Sequence, residues 1–263
     1  MKHLYPSHIL ARIVEAKQKR LQAARTRVPE PIVKRMAETA GPAPSFREAL
    51  EKPQRVRIIA EVKKASPSKG ILKSDLDPAK QAGIYAGAGA SAISVVTEED
   101  FFQGDLAWIG KIRERSNLPV LRKDFVYSPF EVYETRAAGA SAILFIGAML
   151  DMAELKDLIA VAAALKLDAL VEVHDEAELG EAIEAGATIV GVNNRNLKTF
   201  EVDLQTSVRL AGLIPDDRLF VVESGIRSKD DIDLLLAAGA DAFLIGEHFL
   251  KSADPAAALR GLL

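Results

Sequence analysis

Glu61 and Lys63 stand two residues apart at the end of an apolar run, in Ile58-Ile59-Ala60-Glu61-Val62-Lys63-Lys64-Ala65-Ser66-Pro67-Ser68-Lys69-Gly70. Residues i and i+2 of a strand point to the same side. A carboxylate and an ammonium therefore leave one face where the strand breaks into a loop, which suits proton transfer or anion holding at the rim of a sheet. The competing reading is a salt bridge at a strand end. Similar groups close other apolar runs: Leu121-Arg122-Lys123-Asp124-Phe125, Leu170-Val171-Glu172-Val173-His174, Gly191-Val192-Asn193-Asn194-Arg195-Asn196-Leu197, Val222-Glu223-Ser224-Gly225-Ile226 and Leu244-Ile245-Gly246-Glu247. Glu172, inside a Val-Glu-Val run, is costly to bury unpaired and calls for a lysine partner, a proton or a wet cavity. The competing readings are ordinary loop packing for Asp124-Phe125 and a simple polar turn for Asn193 to Asn196, while His174 reads as a loop residue rather than a base. Gly225 and Gly246, with Ser66 and Lys63, point to backbone N–H groups open to a phosphate ester.

The elements that must position these groups are regular. Eight short runs read as strands: Val56–Val62, Ala92–Val96, Val120–Lys123, Ala142–Phe145, Ala169–Val173, Ile189–Val192, Leu219–Glu223 and Ala242–Ile245. Helices between them start at Asp77-Pro78, Ser128-Pro129 and Asp254-Pro255, which pair an N-cap with proline at the first helical position. Asp151-x-x-Glu154 and Asp175-x-x-Glu178 place an acceptor at the cap and an acid in the first turn. Ala-Gly-Ala at Gly89, Gly139, Gly186 and Gly239 precedes a strand each time, and glycine accepts the left-handed conformation that closes a helix. This alternation predicts parallel strands with right-handed crossovers. Eight units predict an α/β fold closed into a (β/α)8 TIM barrel, whose chemistry lies at the C-terminal strand ends. An open doubly wound sheet is the alternative, but no Gly-x-Gly-x-x-Gly follows the first strand.

Residues 1–50 differ from the rest and read as an N-terminal helical extension packed on the barrel, with 51–263 as the barrel, a single structural domain. Ser7 is placed to cap a helix whose apolar residues Ile9, Leu10, Ile13, Val14 and Leu21 share a face, with Arg12, Lys17, Lys19 and Arg20 on the other side. A proline-bearing stretch, Pro29 to Pro44, follows, and Ser45-x-x-Glu48 reads as a capping box for a second short helix. The chain has 263 residues, 49% hydrophobic and 27% charged, with net charge −3. That balance is of a globular protein and offers neither nucleic acid nor an anionic membrane a basic surface. Without cysteine, thiolate catalysis and disulfides are excluded. His3, His8, His174 and His248 lack metal-ligand spacing. No apolar run approaches a membrane span and no leader pattern opens the chain, so a cytoplasmic location is expected.

Taken in order, the segments at Ile59–Ser68, Leu121–Phe125, Val171–Val173, Gly191–Leu197 and Glu223–Ile226 resemble the signature segments of the indole-3-glycerol phosphate synthase family. The resemblance implies a carboxy-lyase of tryptophan biosynthesis. It would close the indole ring of 1-(2-carboxyphenylamino)-1-deoxyribulose 5-phosphate with loss of carbon dioxide and water. It implies Lys123 as the general acid at the ketone oxygen and Glu172 as the group handling protons in the dehydration. Lys63 would meet the substrate carboxylate, Glu61 would orient Lys123, and Asn193 and Ser224 would bond substrate hydroxyls. Arg195 would lie near the anthranilate carboxylate, with Glu223 also facing the substrate. Phosphate would be held by Ser66 and by the backbone at Gly225, Gly246 and Glu247, and Phe102, Phe125, Leu144 and Leu197 would wall the aromatic ring. Two positions depart from other forms of the pattern: Ala65 stands where some members carry lysine, and Glu247 where some carry serine. The implied chemistry calls for no metal and no cofactor. Another phosphosugar barrel enzyme, or a non-catalytic phosphoanion-binding barrel, are the competing readings.

Overall fold

The computed structural model describes residues 9–263, so the cap expected at Ser7, together with His3 and His8, lies outside the described residues. Eight parallel strands close into one barrel: β1 (Ile58–Val62), β2 (Ala92–Val96), β3 (Val120–Lys123), β4 (Ala142–Ile146), β5 (Asp168–Val173), β6 (Ile189–Asn193), β7 (Leu219–Glu223) and β8 (Ala242–Ile245). Each strand pairs with its neighbours in sequence, and β1 closes on β8. The open sheet is thereby excluded. The strands are apolar because a parallel sheet inside a ring of helices is buried on both faces; all five residues of β1, β2, β4, β6 and β7 are buried.

The start and stop signals act as their chemistry requires. Asp77, Ser128 and Asp254 accept hydrogen bonds from the first-turn N–H groups of helices Pro78–Ala88, Pro129–Ala137 and Pro255–Arg260. Gly89, Gly139, Gly186 and Gly239 all have φ between 89° and 103°, where a side chain would be strained. A two-stranded hairpin, Ala65–Ser66 with Gly70–Ile71, fills the loop after β1.

Among the described residues the N-terminal segment contains three helices, α1 (Ile9–Arg27), α2 (Glu30–Glu38) and α3 (Phe46–Glu51). The proline-bearing stretch is therefore helical over much of its length. Pro29 is the N-cap of α2 and Pro31 lies in its first turn, where a missing N–H costs nothing; Val33 packs on Phe130 of the barrel's helix Pro129–Ala137. At α3 Ser45 accepts from Glu48 N at 3.1 Å. The rest of that cap comes from the barrel: Asp168, at the start of β5, accepts from Phe46 N and Arg47 N at 3.1 and 3.0 Å.

Lys17 is a correction to the helical face read from sequence. It lies with Leu10, Ile13, Val14 and Leu21 on the buried side of α1, because it continues their helical spacing and its ammonium finds carboxylates inside. It forms ion pairs with Asp124 at 3.0 Å and Glu131 at 3.1 Å.

Candidate active site

Strand register sets the site. Parallel neighbours at the same level present their side chains to the same face. Lys123 is level with Val96, Glu172 with Gly191 and Ile146, and Asn193 with Glu223. Lys123, Glu172, Asn193 and Glu223 consequently meet at the mouth, where they line a cavity of about 690 Å³ with Glu61, Lys63, Ser66 and Arg195. The same cavity takes in Ser224, Gly225, Gly246 and Glu247, and the apolar side chains Phe102, Phe125, Leu144 and Leu197. Every site residue expected from sequence thus faces one space. Phe102 and Phe125 meet with ring centroids 5.8 Å apart, forming one apolar wall.

At the centre Lys123 Nζ donates to Glu172 Oε2 at 2.8 Å and to Glu223 Oε2 at 2.9 Å. Burial disfavours the ammonium, but Glu172, Glu223 and Glu61 more than offset that, so its pKa is raised and the lysine is firmly protonated. The two carboxylates diverge. Burial works against an ionised Glu172, yet Lys123 and His174 outweigh it and hold the group well below the usual carboxylate range. Glu223 shares the same lysine; burial and the nearby Glu172 push it up to about 7 despite Lys123. One lysine between two buried carboxylates thus leaves one of them poised to take a proton near neutrality.

Glycine makes room for both outer glutamates. A Cβ on Gly191 would collide with Glu223 Oε1, and one on Gly246 would collide with the carboxylate of Glu61 and lie 2.8 Å from its Cβ. Gly246 therefore has a packing role beside the phosphate role expected of it. Glu61 itself pairs with Lys63, so the direct contacts that orient Lys123 come from Glu172 and Glu223, and Glu61 acts on it through space. Asn193 Nδ2 donates to Glu172 Oε1 at 3.1 Å and its Oδ1 accepts from Arg195 N at 3.0 Å. Arg195 lies 3.4 Å from Glu247 Oε2, and Lys251 lies 2.6 Å from Oε1 of the same carboxylate. Ser224 and Gly225 both sit at positive φ, 65° and 91°. For serine that conformation is uncommon, and the stored strain marks the turn after β7 as one held in shape by its surroundings.

Several participants were not singled out by sequence. Asp124 is not loop packing: it is buried and bonded to Lys17, to Arg122 at 3.0 Å and to Thr97 Oγ1 at 2.6 Å, while its own carboxylate accepts from Phe125 N at 2.8 Å. Ile9, Leu10 and Ile13 of α1 reach the cavity. Glu98 is fully buried and accepts from the N–H groups of Asp100, Phe101 and Phe102 at 2.7–3.0 Å, which fixes the loop that carries Phe102. No group of three or more His, Cys, Asp or Glu residues suited to a metal ion occurs among the described residues.

The fold and the site together define a (β/α)8 barrel with a buried lysine–glutamate cluster at its C-terminal mouth. A sequence profile described as Indole-3-glycerol phosphate synthase matches residues 10–262. The Indole-3-glycerol phosphate synthase of Polaromonas naphthalenivorans (strain CJ2) is 44% identical over 262 residues, 97% of this chain and 98% of that protein. That of Dehalococcoides mccartyi (strain CBDB1) is 51% identical over 226 residues, 84% and 87% of the two chains. The chain belongs to the indole-3-glycerol phosphate synthase family. Among solved structures, 3-hexulose-6-phosphate synthase from Salmonella typhimurium superposes with a TM-score of 0.62 at 16% identity, covering 79% of this chain and 96% of that one, a likeness of fold alone.

Proposed function

We infer that this chain is an indole-3-glycerol phosphate synthase, a carboxy-lyase of tryptophan biosynthesis that acts on a phosphorylated small molecule. It converts 1-(2-carboxyphenylamino)-1-deoxyribulose 5-phosphate to indole-3-glycerol phosphate. The observation that carries the assignment of roles is Lys123 held between Glu172 and Glu223 on the floor of an aromatic-walled cavity.

In the first step the ring carbon bearing the carboxylate attacks the ketone carbon, and Lys123 gives its proton to the ketone oxygen. The new bond interrupts the aromatic ring. Carbon dioxide then leaves, and the electrons of its bond to carbon restore aromaticity. In the last step the hydroxyl, protonated by the recharged Lys123, departs as water, and a proton is taken from the adjacent methylene to make the double bond of the new ring. Glu172, held ionised, takes that proton, and Glu223, poised near neutrality, returns a proton to Lys123. Lys63 and Arg195 provide positive charge for the anthranilate carboxylate. Asn193 and Ser224 bond the ribulose hydroxyls. Ser66 and the backbone at Gly225, Gly246 and Glu247 hold the phosphate, with Phe102, Phe125, Leu144 and Leu197 around the ring. Binding phosphate through backbone N–H groups is supported by Glu247, whose carboxylate is turned to Arg195 and Lys251. A charged phosphate ester is retained by membranes, so the enzyme works in the cytoplasm with its substrate. No helix among the described residues is long and apolar enough to cross a membrane. Residues 1–50 are taken as an extension of the barrel domain of 51–263, because the cavity and the cap of α3 use groups from both.

The test is formation of the indole product by the purified chain, with Lys63→Met and Arg195→Met raising KM more than they lower kcat. A chain that binds the substrate and releases no indole-3-glycerol phosphate would refute the assignment.

A further inference from the structure

Behind the cavity wall, outside the residues that line it, His174 stands between two carboxylates. It follows β5 directly, and its side chain is only 15% exposed. Ring Nδ1 lies 3.0 Å from Glu178 Oε2, and the same oxygen accepts from the backbone N–H of His174 at 2.9 Å. Nε2 lies 3.4 Å from Glu172 Oε1, within ion-pair distance but without a hydrogen bond between them. Glu178 is at the third position of helix Glu176–Glu184, and its own N–H is bonded by the cap Asp175. In a reciprocal capping box such a glutamate turns back to the cap's backbone N–H; here its carboxylate grips His174 instead.

We propose that His174 is a positioning residue for Glu172: Glu178 locks the imidazole so that its Nε2 edge stands beside Glu172 Oε1 and its positive charge holds that carboxylate oriented and ionised for its proton transfer. The proposal rests on the catalytic reading of Glu172. The groups around the pair are few. Glu172 is faced by Lys123 from β3, Asn193 from β6 and Glu223 from β7, besides His174; His174 is faced by Glu172 and Glu178. With Nδ1 bonded to one carboxylate and Nε2 within ion-pair distance of a second, the surroundings favour the protonated imidazolium. Although burial opposes the charge, the two glutamates push the His174 pKa up to about 10. Lys123 alone divides its charge between Glu172 and Glu223, so a second cation on Glu172 is what separates the two carboxylates in proton affinity.

Two measurements on the full chain test this. The first follows the ring nitrogens of His174 by 15N-detected NMR from pH 5 to 9, in the parent and in Glu178→Gln. The imidazolium is expected to persist above pH 8 in the parent and to titrate at lower pH in the variant. Titration of the parent ring near its ordinary value of about 6.5 would overturn the proposal without touching the synthase assignment. The second is a double-mutant cycle with His174→Gln and Glu172→Gln. H174Q alone is expected to lower kcat about tenfold, the size of a typical coupling within one network, with KM little changed. In the E172Q background it should cost almost nothing further. Equal losses in both backgrounds would make His174 merely structural. Full activity in E172Q itself would instead refute the catalytic reading on which the proposal rests.

Discussion

Replacing Lys17 by methionine removes one charge from a cluster closed to water. The side chains of Lys17, Asp124 and Glu131 are 10%, 1% and 2% exposed, and the ammonium lies within 3.0–3.1 Å of both carboxylates. Asp124 would keep Arg122 and Thr97. Glu131 would fare worse: its Oε2 still accepts from Tyr127 N at 3.2 Å, but Oε1 makes no hydrogen bond and depends on the ion pair. Removing one member of a buried pair costs about 3–5 kcal/mol, because the partner stays charged in a poor solvent. At about 2–4 °C per kcal/mol for a chain near this size, the melting temperature should fall by roughly 6–20 °C. Calorimetry or circular dichroism melts at neutral pH measure it, with Lys19→Met as the control, since Lys19 pairs with Glu15 on the exposed surface. Neutralising the orphan should repair the damage, so Lys17→Met with Glu131→Gln is expected to melt well above Lys17→Met alone. A melting temperature for Lys17→Met no lower than the control's would refute the reasoning and return Lys17 to the solvent side of α1.

Other expectations follow from the same geometry. Glu223 takes its proton more readily folded, with a pKa raised to about 7 from 4.5, so its contribution to stability is full below pH 4.5 and is lost as the pH rises through 7. Glu223→Gln should therefore gain stability relative to the parent across that window in pH-dependent melts while losing turnover; an unchanged difference across the window would count against the poised carboxylate. For His174 the raised pKa gives stability that is full below pH 6.5 and lost toward 10, so the parent should weaken relative to His174→Gln over that range. Gly191→Ala puts a methyl group against Glu223 and 3.2 Å from Leu170 Cδ1; displacing the glutamate should lower kcat about tenfold or more, and an unaffected kcat would show that the Glu223 contact to Lys123 is not used.

Much of the architecture was legible because each signal had a local cause. Proline after Asp77, Ser128 and Asp254, and glycine at 89, 139, 186 and 239, constrain the backbone wherever they stand, and the eight apolar runs between them had to be strands. The residues of the mouth were legible as a set, since charges at the ends of buried strands have nowhere else to go. What escaped was decided by contacts distant in sequence. Lys17 looked solvated because a lysine on a helix usually is, and nothing nearby announces that Asp124, 107 residues on, will meet it. Pro29 and Pro31 obscured α2, although both fall where helices tolerate proline. His174 was passed over for want of metal-ligand spacing, while its partner Glu178 was visible but explained by the cap alone. Glu61 pairs with Lys63 as their i, i+2 spacing in one strand end foreshadowed, and its influence on Lys123 is exerted through space.

The central claim is that Lys123 and Glu172 move the protons of indole ring closure. It is tested most directly by following indole fluorescence as 1-(2-carboxyphenylamino)-1-deoxyribulose 5-phosphate is consumed by the parent, Lys123→Ala and Glu172→Gln. Turnover by the parent, reduced by roughly 10² or more in each variant with substrate still bound, is the predicted result. Variants that turn over as fast as the parent would contradict it.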